Sequence, residues 1–332
     1  MICPKDKTEN EQQKFCNGFR GSTFACVSPE IEKHANCCNR NNGDKKVCFA
    51  EMMDSGHLAM TYTALATLVI LGDNLSRVDR VSITRGLKEM QQPDGSFRAS
   101  FEASENDMRF VYCACAIAHI LDDWSGIDKD AIVMFILSSL SYEGCFGQGP
   151  NLEAHGGSTY CAIASLSLMG RLHDGTLGQS QKDKAIRWCV LRLNEGFQGR
   201  PNKPDDTCYS FWIGAALRLL VPQGDKIEPV ISNLASKSHQ FVLSTQDAIV
   251  GGMAKWPELT SPDPLHTYLG LSGMSLFIGP DDDKSELLSI DAALNISKRA
   301  VTHLNHVKKH VTQLTRWNPD NNYSLIFLYS DS

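Results

Sequence analysis

A repeat with a period near fifty residues restricts the fold of this 332-residue chain more than any other feature. Strongly apolar segments recur around Tyr62, Tyr112, Tyr160, Tyr209 and Tyr268, at spacings of 50, 48, 49 and 59. Glycine turns of one type accompany them at Gly95 (DGSFR), Gly144 (EGCFGQ), Gly196 (EGFQGR) and Gly252 (GGMAKW). A Ser-x-x-Asp signature stands at Ser76/Asp79, Ser125/Asp128 and Ser180/Asp183. The serine oxygen of such a signature can accept an orphan N–H at a helix start.

Each unit therefore predicts two helices of different kinds. VDRVSITRGLKEM mixes charge with an apolar stripe and should face water, whereas YCACAIAHIL and YCAIASLSLM are apolar nearly all round and should be buried. Stacked units that bury one whole layer form a solenoid, or, if the rotation per repeat closes, a toroid of inner and outer helices. The expectation is an all-α chain: an α/α toroid over residues 54–300, an atypical Cys-rich lead-in over 1–53 and a C-terminal tail over 301–332. Small residues crowd the inner helices, which suits a central cavity and a tightly filled core equally.

Composition excludes some functions. No run of 18 apolar residues is present, so no membrane insertion is expected. With 32 Lys+Arg against 38 Asp+Glu the chain is modestly acidic, which argues against neutralising many phosphates of a nucleic acid. The opening MICPKDKTENEQQKF has no apolar h-region, so the twelve cysteines are expected as thiols in a reducing cytoplasm. Six of them, Cys3, Cys16, Cys26, Cys37, Cys38 and Cys48, fall in the first fifty residues. A zinc module built from His34, Cys37, Cys38 and Cys48 is the sharper reading there, but no C-x-x-C pair supports it.

The repeat register also says which residues share one end of the inner ring. Counted back from each tyrosine, His57, Glu105, Arg109, His155, Asp206, Cys208 and His266 all fall at inner-helix N-termini, where helix dipoles favour anions. Asp206, Cys208 and His266 offer carboxylate, thiolate and imidazole, a three-ligand set that suits zinc and leaves a fourth position open. Zn²⁺ with one carboxylate and one thiolate sums to zero charge, so an incoming thiol could bind, lose its proton and stay nucleophilic. Arg200, Lys203, His155 and Lys255 gather cationic and donor groups near the same place, suited to a small polyanion such as a diphosphate. Asp281, Asp282 and Asp283 read instead as a solvated helix entry.

The segments SGHLAMTYTAL, SENDMRFVYCA, HGGSTYCAIASL, GFQGRPNKPDDTCYSFW and PLHTYLG resemble the β subunits of the protein prenyltransferases, most closely the geranylgeranyltransferase type I class, over roughly residues 54–298. The resemblance implies a heterodimer with a prenyltransferase α subunit. It further implies transfer of a geranylgeranyl group from geranylgeranyl diphosphate to the cysteine of C-terminal CaaX sequences, X usually Leu, on proteins such as small GTPases. Position by position it implies zinc at Asp206, Cys208 and His266, and diphosphate at His155, Arg200, Lys203, Tyr209 and Lys255. His57, Glu105 and Arg109 would hold the water that receives the peptide carboxylate, and Ala59 with Phe110 would shape the pocket for its last residue. Lys255 would be the fixed cation at the leaving diphosphate, so Mg²⁺ is not expected to be required. Leu269 stands where the family pattern suggests Phe, and helices expected before the first matching repeat are not recognisable. A farnesyl or Rab type β subunit and a noncatalytic helical scaffold are the alternative readings.

Overall fold

The computed structural model describes residues 56–317, except 102–103, 222–223, 258–260 and 278–286, and describes no side chains beyond residue 309. The Cys-rich lead-in with its candidate zinc module, and Asp281 to Asp283, lie outside the described residues. Ten helices and one short hairpin make up the rest. Inner helices α1 (Leu58–Ile70), α3 (Met108–Leu121), α5 (Gly156–Leu168), α7 (Tyr209–Leu220) and α9 (Pro264–Ser275) alternate with outer helices α2 (Arg80–Met90), α4 (Lys129–Ser138), α6 (Gln179–Val190) and α8 (Glu228–Ser244). Inner helices pack side by side in chain order, α1 on α3, α3 on α5, α5 on α7 and α7 on α9. The α/α toroid architecture is therefore present, with its core between the two layers.

The apolar inner helices are buried as their composition requires. Every residue of α3 except Arg109 and His119 is buried. Burial pushes the thiols of Cys113 and Cys115 on this helix up to about 12, so they remain protonated and serve as small core groups. All six cysteines of the described residues are free.

Two local expectations are corrected. The Ser-x-x-Asp signature does mark the starts of α2 and α4, but these helices begin after the aspartate, three residues later than a serine cap would put them, and the caps are aspartates. Asp79 accepts from the Ser82 N–H, and Asp128 from those of Asp130 and Ala131, while α6 begins at Gly178 with no side-chain cap. Ser125 is occupied otherwise, its hydroxyl donating to Asp123. The glycine turns are also of two types: Gly95, Gly144 and Gly252 have φ of 89°, 93° and 89°, but Gly196 is not among the positive-φ residues. At Gly196 a Cβ would instead overlap the Phe241 ring, so that glycine answers to close packing.

At Gly95 both demands coincide, because a Cβ would also collide with the Ala131 carbonyl in the first turn of α4. A Gly95→Ala variant is expected to lose about 1–3 kcal/mol through backbone strain alone. Thermal melting of the variant checks this; an unchanged melting temperature would contradict it.

The hairpin of β1 (Ile290–Asp291) and β2 (Ile296–Ser297) returns the chain to the ring axis. Tyr62 donates to the Leu294 carbonyl at 2.8 Å, Tyr112 to that of Ala293 at 2.9 Å and Tyr268 to that of Asn295 at 2.5 Å. The Tyr160 hydroxyl lies 3.1 Å from the Ala293 carbonyl and 3.0 Å from the Tyr112 hydroxyl. A three-residue turn within reach of four inner helices must stand on the axis. These four tyrosines are each the fifth residue of their helix, about 6 Å below the helix starts. Tyr209, first in α7, stays at the mouth, which explains its irregular place in the repeat. Helix α10 (Lys298–Trp317) follows the hairpin, runs across the expected boundary at residue 300 and packs on α1 and the hairpin.

Candidate active site

The mouth formed by the inner-helix N-termini is built by helix capping. Each first turn leaves backbone N–H groups without intrahelical partners. In four of the five inner helices a side chain at the mouth satisfies one. His57 Nδ1 accepts from Ala59, Asp107 from Arg109, His155 Nδ1 from Gly157 and Asp263 from His266, while before α7, which has no side-chain cap, Asp206 accepts from the N–H of Cys208. Capping thus orients His57 and His155, which the register singled out, and brings in Asp107 and Asp263, which it did not.

Asp206, Cys208 and His266 come together: one ligand atom from each lies within 4.8 Å of the others. Asp206 and Cys208 are buried, and His266 Nε2 is 3.4 Å from Asp206 Oδ1. His266 Nδ1 sits 2.6 Å from Asp263 Oδ2, which fixes the ring and leaves Nε2 facing the other two donors. Burial, and then the Asp206 charge, push the Cys208 thiol well above its usual range. A buried thiol, carboxylate and imidazole in one cluster are a costly arrangement without a cation and a fitting one with it. The donor set can therefore hold a metal ion.

Lys255 Nζ is 3.7 Å from Asp206 Oδ2 and 4.6 Å above the Trp256 ring. Its loop is pinned to both neighbouring helices. Thr207 N–H donates to the Lys255 carbonyl at 2.9 Å, the Thr207 hydroxyl to that of Ala254 at 2.6 Å, and Met253 N–H to the Thr267 hydroxyl at 2.9 Å. The ammonium is accordingly placed by backbone, while 40% of its side-chain surface stays open at the mouth.

Next to this cluster, His155 Nε2 is 2.9 Å from the Tyr209 hydroxyl. Since Nδ1 accepts the Gly157 N–H, the neutral ring carries its proton on Nε2 and donates it to Tyr209. Burial, then the Arg200 charge, lower the His155 pKa, which favours this neutral form. The Tyr209 O–H is left free to donate outward. Arg200 is tied to Glu153 at 2.9 Å on a half-exposed surface, and Lys203 is exposed in the same loop. These two cations are not drawn into the cluster as Lys255 is.

Across the mouth, Arg109 forms a fork on Asp107, with Nη2 to Oδ2 at 2.7 Å and Nε to Oδ1 at 3.0 Å, and Gln148 donates to the same carboxylate at 2.7 Å. Arg109 retains 54% side-chain exposure, so its remaining N–H groups face the opening. His57 meets the Phe110 ring edge to face at 5.8 Å, and Ala59 lies beside it on α1. Glu105 lies within electrostatic reach of both His57 and Arg109.

The sequence reading missed Asp107, Gln148 and Asp263. Asp107 and Asp263 were legible as Asp-x-Arg and Asp-x-x-His at helix starts, where an Asp immediately before an apolar helix signals a cap.

The prenyltransferase alpha-alpha toroid domain family matches residues 6–296. The chain belongs to this family. The family match begins within the stretch read as a lead-in. Geranylgeranyl transferase type-1 subunit beta of Arabidopsis thaliana is 44% identical over 243 residues, covering 71% of this chain and 61% of that relative. The subunit of the same name from Dictyostelium discoideum is 43% identical over 288 residues, 85% of this chain and 74% of the relative. Protein farnesyltransferase subunit beta of Pisum sativum is 37% identical over 194 residues, 56% of this chain and 43% of that one. Among solved structures, Candida albicans protein geranylgeranyltransferase-I complexed with GGPP superposes with a TM-score of 0.65 at 28% identity, covering 76% of this chain and 74% of that chain. No helix among the described residues is long and apolar enough to cross a membrane.

Proposed function

We propose that this chain is the catalytic β subunit of a protein geranylgeranyltransferase type I. In this reading it acts with a prenyltransferase α subunit in the cytoplasm, moving the geranylgeranyl group of geranylgeranyl diphosphate onto the cysteine of CaaX proteins. The observation that carries the proposal is the Asp206, Cys208 and His266 cluster with Lys255 beside it, at one mouth of a toroid similar in sequence to type-1 β subunits. A scaffold has no need of a buried thiol, carboxylate and imidazole in contact.

The three residues would hold zinc, which when bound supplies a Lewis acid that lowers the pKa of a coordinated substrate thiol. The chain's own groups do the rest. Lys255, Arg200, Lys203, Tyr209 and the Tyr209-directed His155 hold the diphosphate, whose oxygens gain negative charge as the carbon–oxygen bond breaks and the sulfur–carbon bond forms. A fixed ammonium at that point makes added Mg²⁺ unnecessary. Arg109, Glu105 and His57 hold the peptide carboxylate end through water, and Ala59 and Phe110 bound the pocket for the terminal side chain.

Asp263 acts through His266. An Asp263→Ala variant is expected to weaken zinc binding about 10–100-fold. Competition with a chromogenic chelator measures this, and undiminished zinc affinity would remove Asp263 from the account.

Competition between farnesyl and geranylgeranyl diphosphate tests the class. Co-expressed with a prenyltransferase α subunit, the chain should use the longer lipid on Leu-ending peptides in preference to the shorter lipid on Met- or Ser-ending ones. The reverse preference would assign it to the farnesyl type, and transfer restricted to Rab proteins to the Rab type.

A further inference from the structure

Helix α10 is out of character with the rest of the chain. Its twenty residues contain Lys298, Arg299, Lys308, Lys309 and Arg316 with His303, His306 and His310, and no Asp or Glu. The remaining 312 residues hold 27 Lys+Arg against 38 Asp+Glu. The apolar stripe of α10, Ala300, Leu304 and Val307, is already buried on the toroid, so its cations are not part of a packing seam. Lys298, Arg299, His306 and Lys309 are exposed and lie within about 100° of one another around the helix. Among the described residues none of the four pairs with a carboxylate.

The position of this face matters. His303 Nε2 bonds the Asp73 carbonyl at 3.1 Å, just beyond the C-terminal end of α1, so α10 lies toward the end of the toroid opposite the candidate active site. Beside that contact the end of α1 exposes Ile70 at 41% and Leu71 at 76%. The local charges are accounted for. Asp73 is paired with Arg77 at 3.0 Å, Arg80 donates to the Leu121 carbonyl, and Lys308 faces Asp122 and Arg80. An unpaired basic helix face beside exposed aliphatic side chains matches the chemistry of an anionic bilayer surface, which attracts the cations and accepts the aliphatic groups at its interface.

We propose that the basic face of α10, with Ile70 and Leu71, docks the toroid peripherally on membranes rich in anionic phospholipid, leaving the opposite mouth open to the cytoplasm. This inference does not depend on the transfer reaction. It is tested by sedimenting the full chain, with its α subunit, on phosphatidylcholine vesicles with and without phosphatidylserine. Wild type should bind only the anionic vesicles, and binding should fall with added salt. A Lys298→Glu, Arg299→Glu, Lys309→Glu variant should partition at least about a hundredfold more weakly, at about fivefold for each cation lost and more for the negative charges gained. Leu71→Ser should weaken binding without changing its salt dependence. Unchanged circular dichroism and unchanged transfer to a soluble peptide would show that the variants fold. Equal binding to both vesicle types, or full binding by the charge-reversed variant, would overturn the proposal. So would capture of polyglutamate without any vesicle binding, which would point to an acidic protein instead.

Discussion

A Cys208→Ala, His266→Ala double variant, purified with its α subunit, is expected to carry no stoichiometric zinc and to lose transfer by about a thousandfold, since a Lewis acid is worth several kcal/mol at the transition state. Wild type should carry about one zinc per chain, because among the described residues only Asp206, Cys208 and His266 cluster in a metal-binding arrangement. The two replacements stand at the starts of two inner helices, α7 and α9, and alanine at each leaves the apolar residues further along both helices in place, so the fold should survive. Elemental analysis and circular dichroism of the same preparation separate loss of metal from loss of structure. Full zinc content in the folded double variant would place the metal elsewhere.

The second large effect is expected at Lys255. Its ammonium is held 3.7 Å from Asp206 by backbone bonds from Thr207, so it needs little reorganisation when charge develops nearby. Removing a preorganised charge-stabilising group costs about 10²–10³ in rate, and Lys255→Ala should show a loss of that size with zinc retained. Lys255→Asp should go further and make the rate depend on Mg²⁺, since a carboxylate there can recruit the cation that the ammonium replaced. A magnesium titration of wild type and both variants is the measurement. Strong activation of wild type by Mg²⁺, or an unchanged rate in Lys255→Ala, would contradict this role.

The ring itself was legible because its signal is local and repeated. Apolar helices such as YCACAIAHIL have few alternatives to burial, and their period brings His57, His155, Asp206, Cys208 and His266 to one end before any contact is known. What could not be read was mostly pairing at long range. Nothing near Tyr62 in sequence announces that its hydroxyl meets a carbonyl 232 residues away. Arg200 looked like a free cation beside the triad, yet it answers to Glu153, 47 residues earlier. The caps were misassigned for a different reason. Serine and aspartate both accept helix N–H groups, and at Ser76/Asp79 and Ser125/Asp128 the helix began at the second of them, whereas at Ser180/Asp183 it began before both. At Asp107 and Asp263 the signal was present but was overlooked beside the more reactive neighbours Arg109 and His266.

The most direct test of the central claim is the mass of a Leu-ending CaaX peptide after incubation with the αβ complex, zinc and geranylgeranyl diphosphate. The account predicts a single added geranylgeranyl group on the cysteine sulfur, absent when Cys208→Ala, His266→Ala replaces wild type. An unmodified peptide with a folded, zinc-loaded wild-type complex would contradict it.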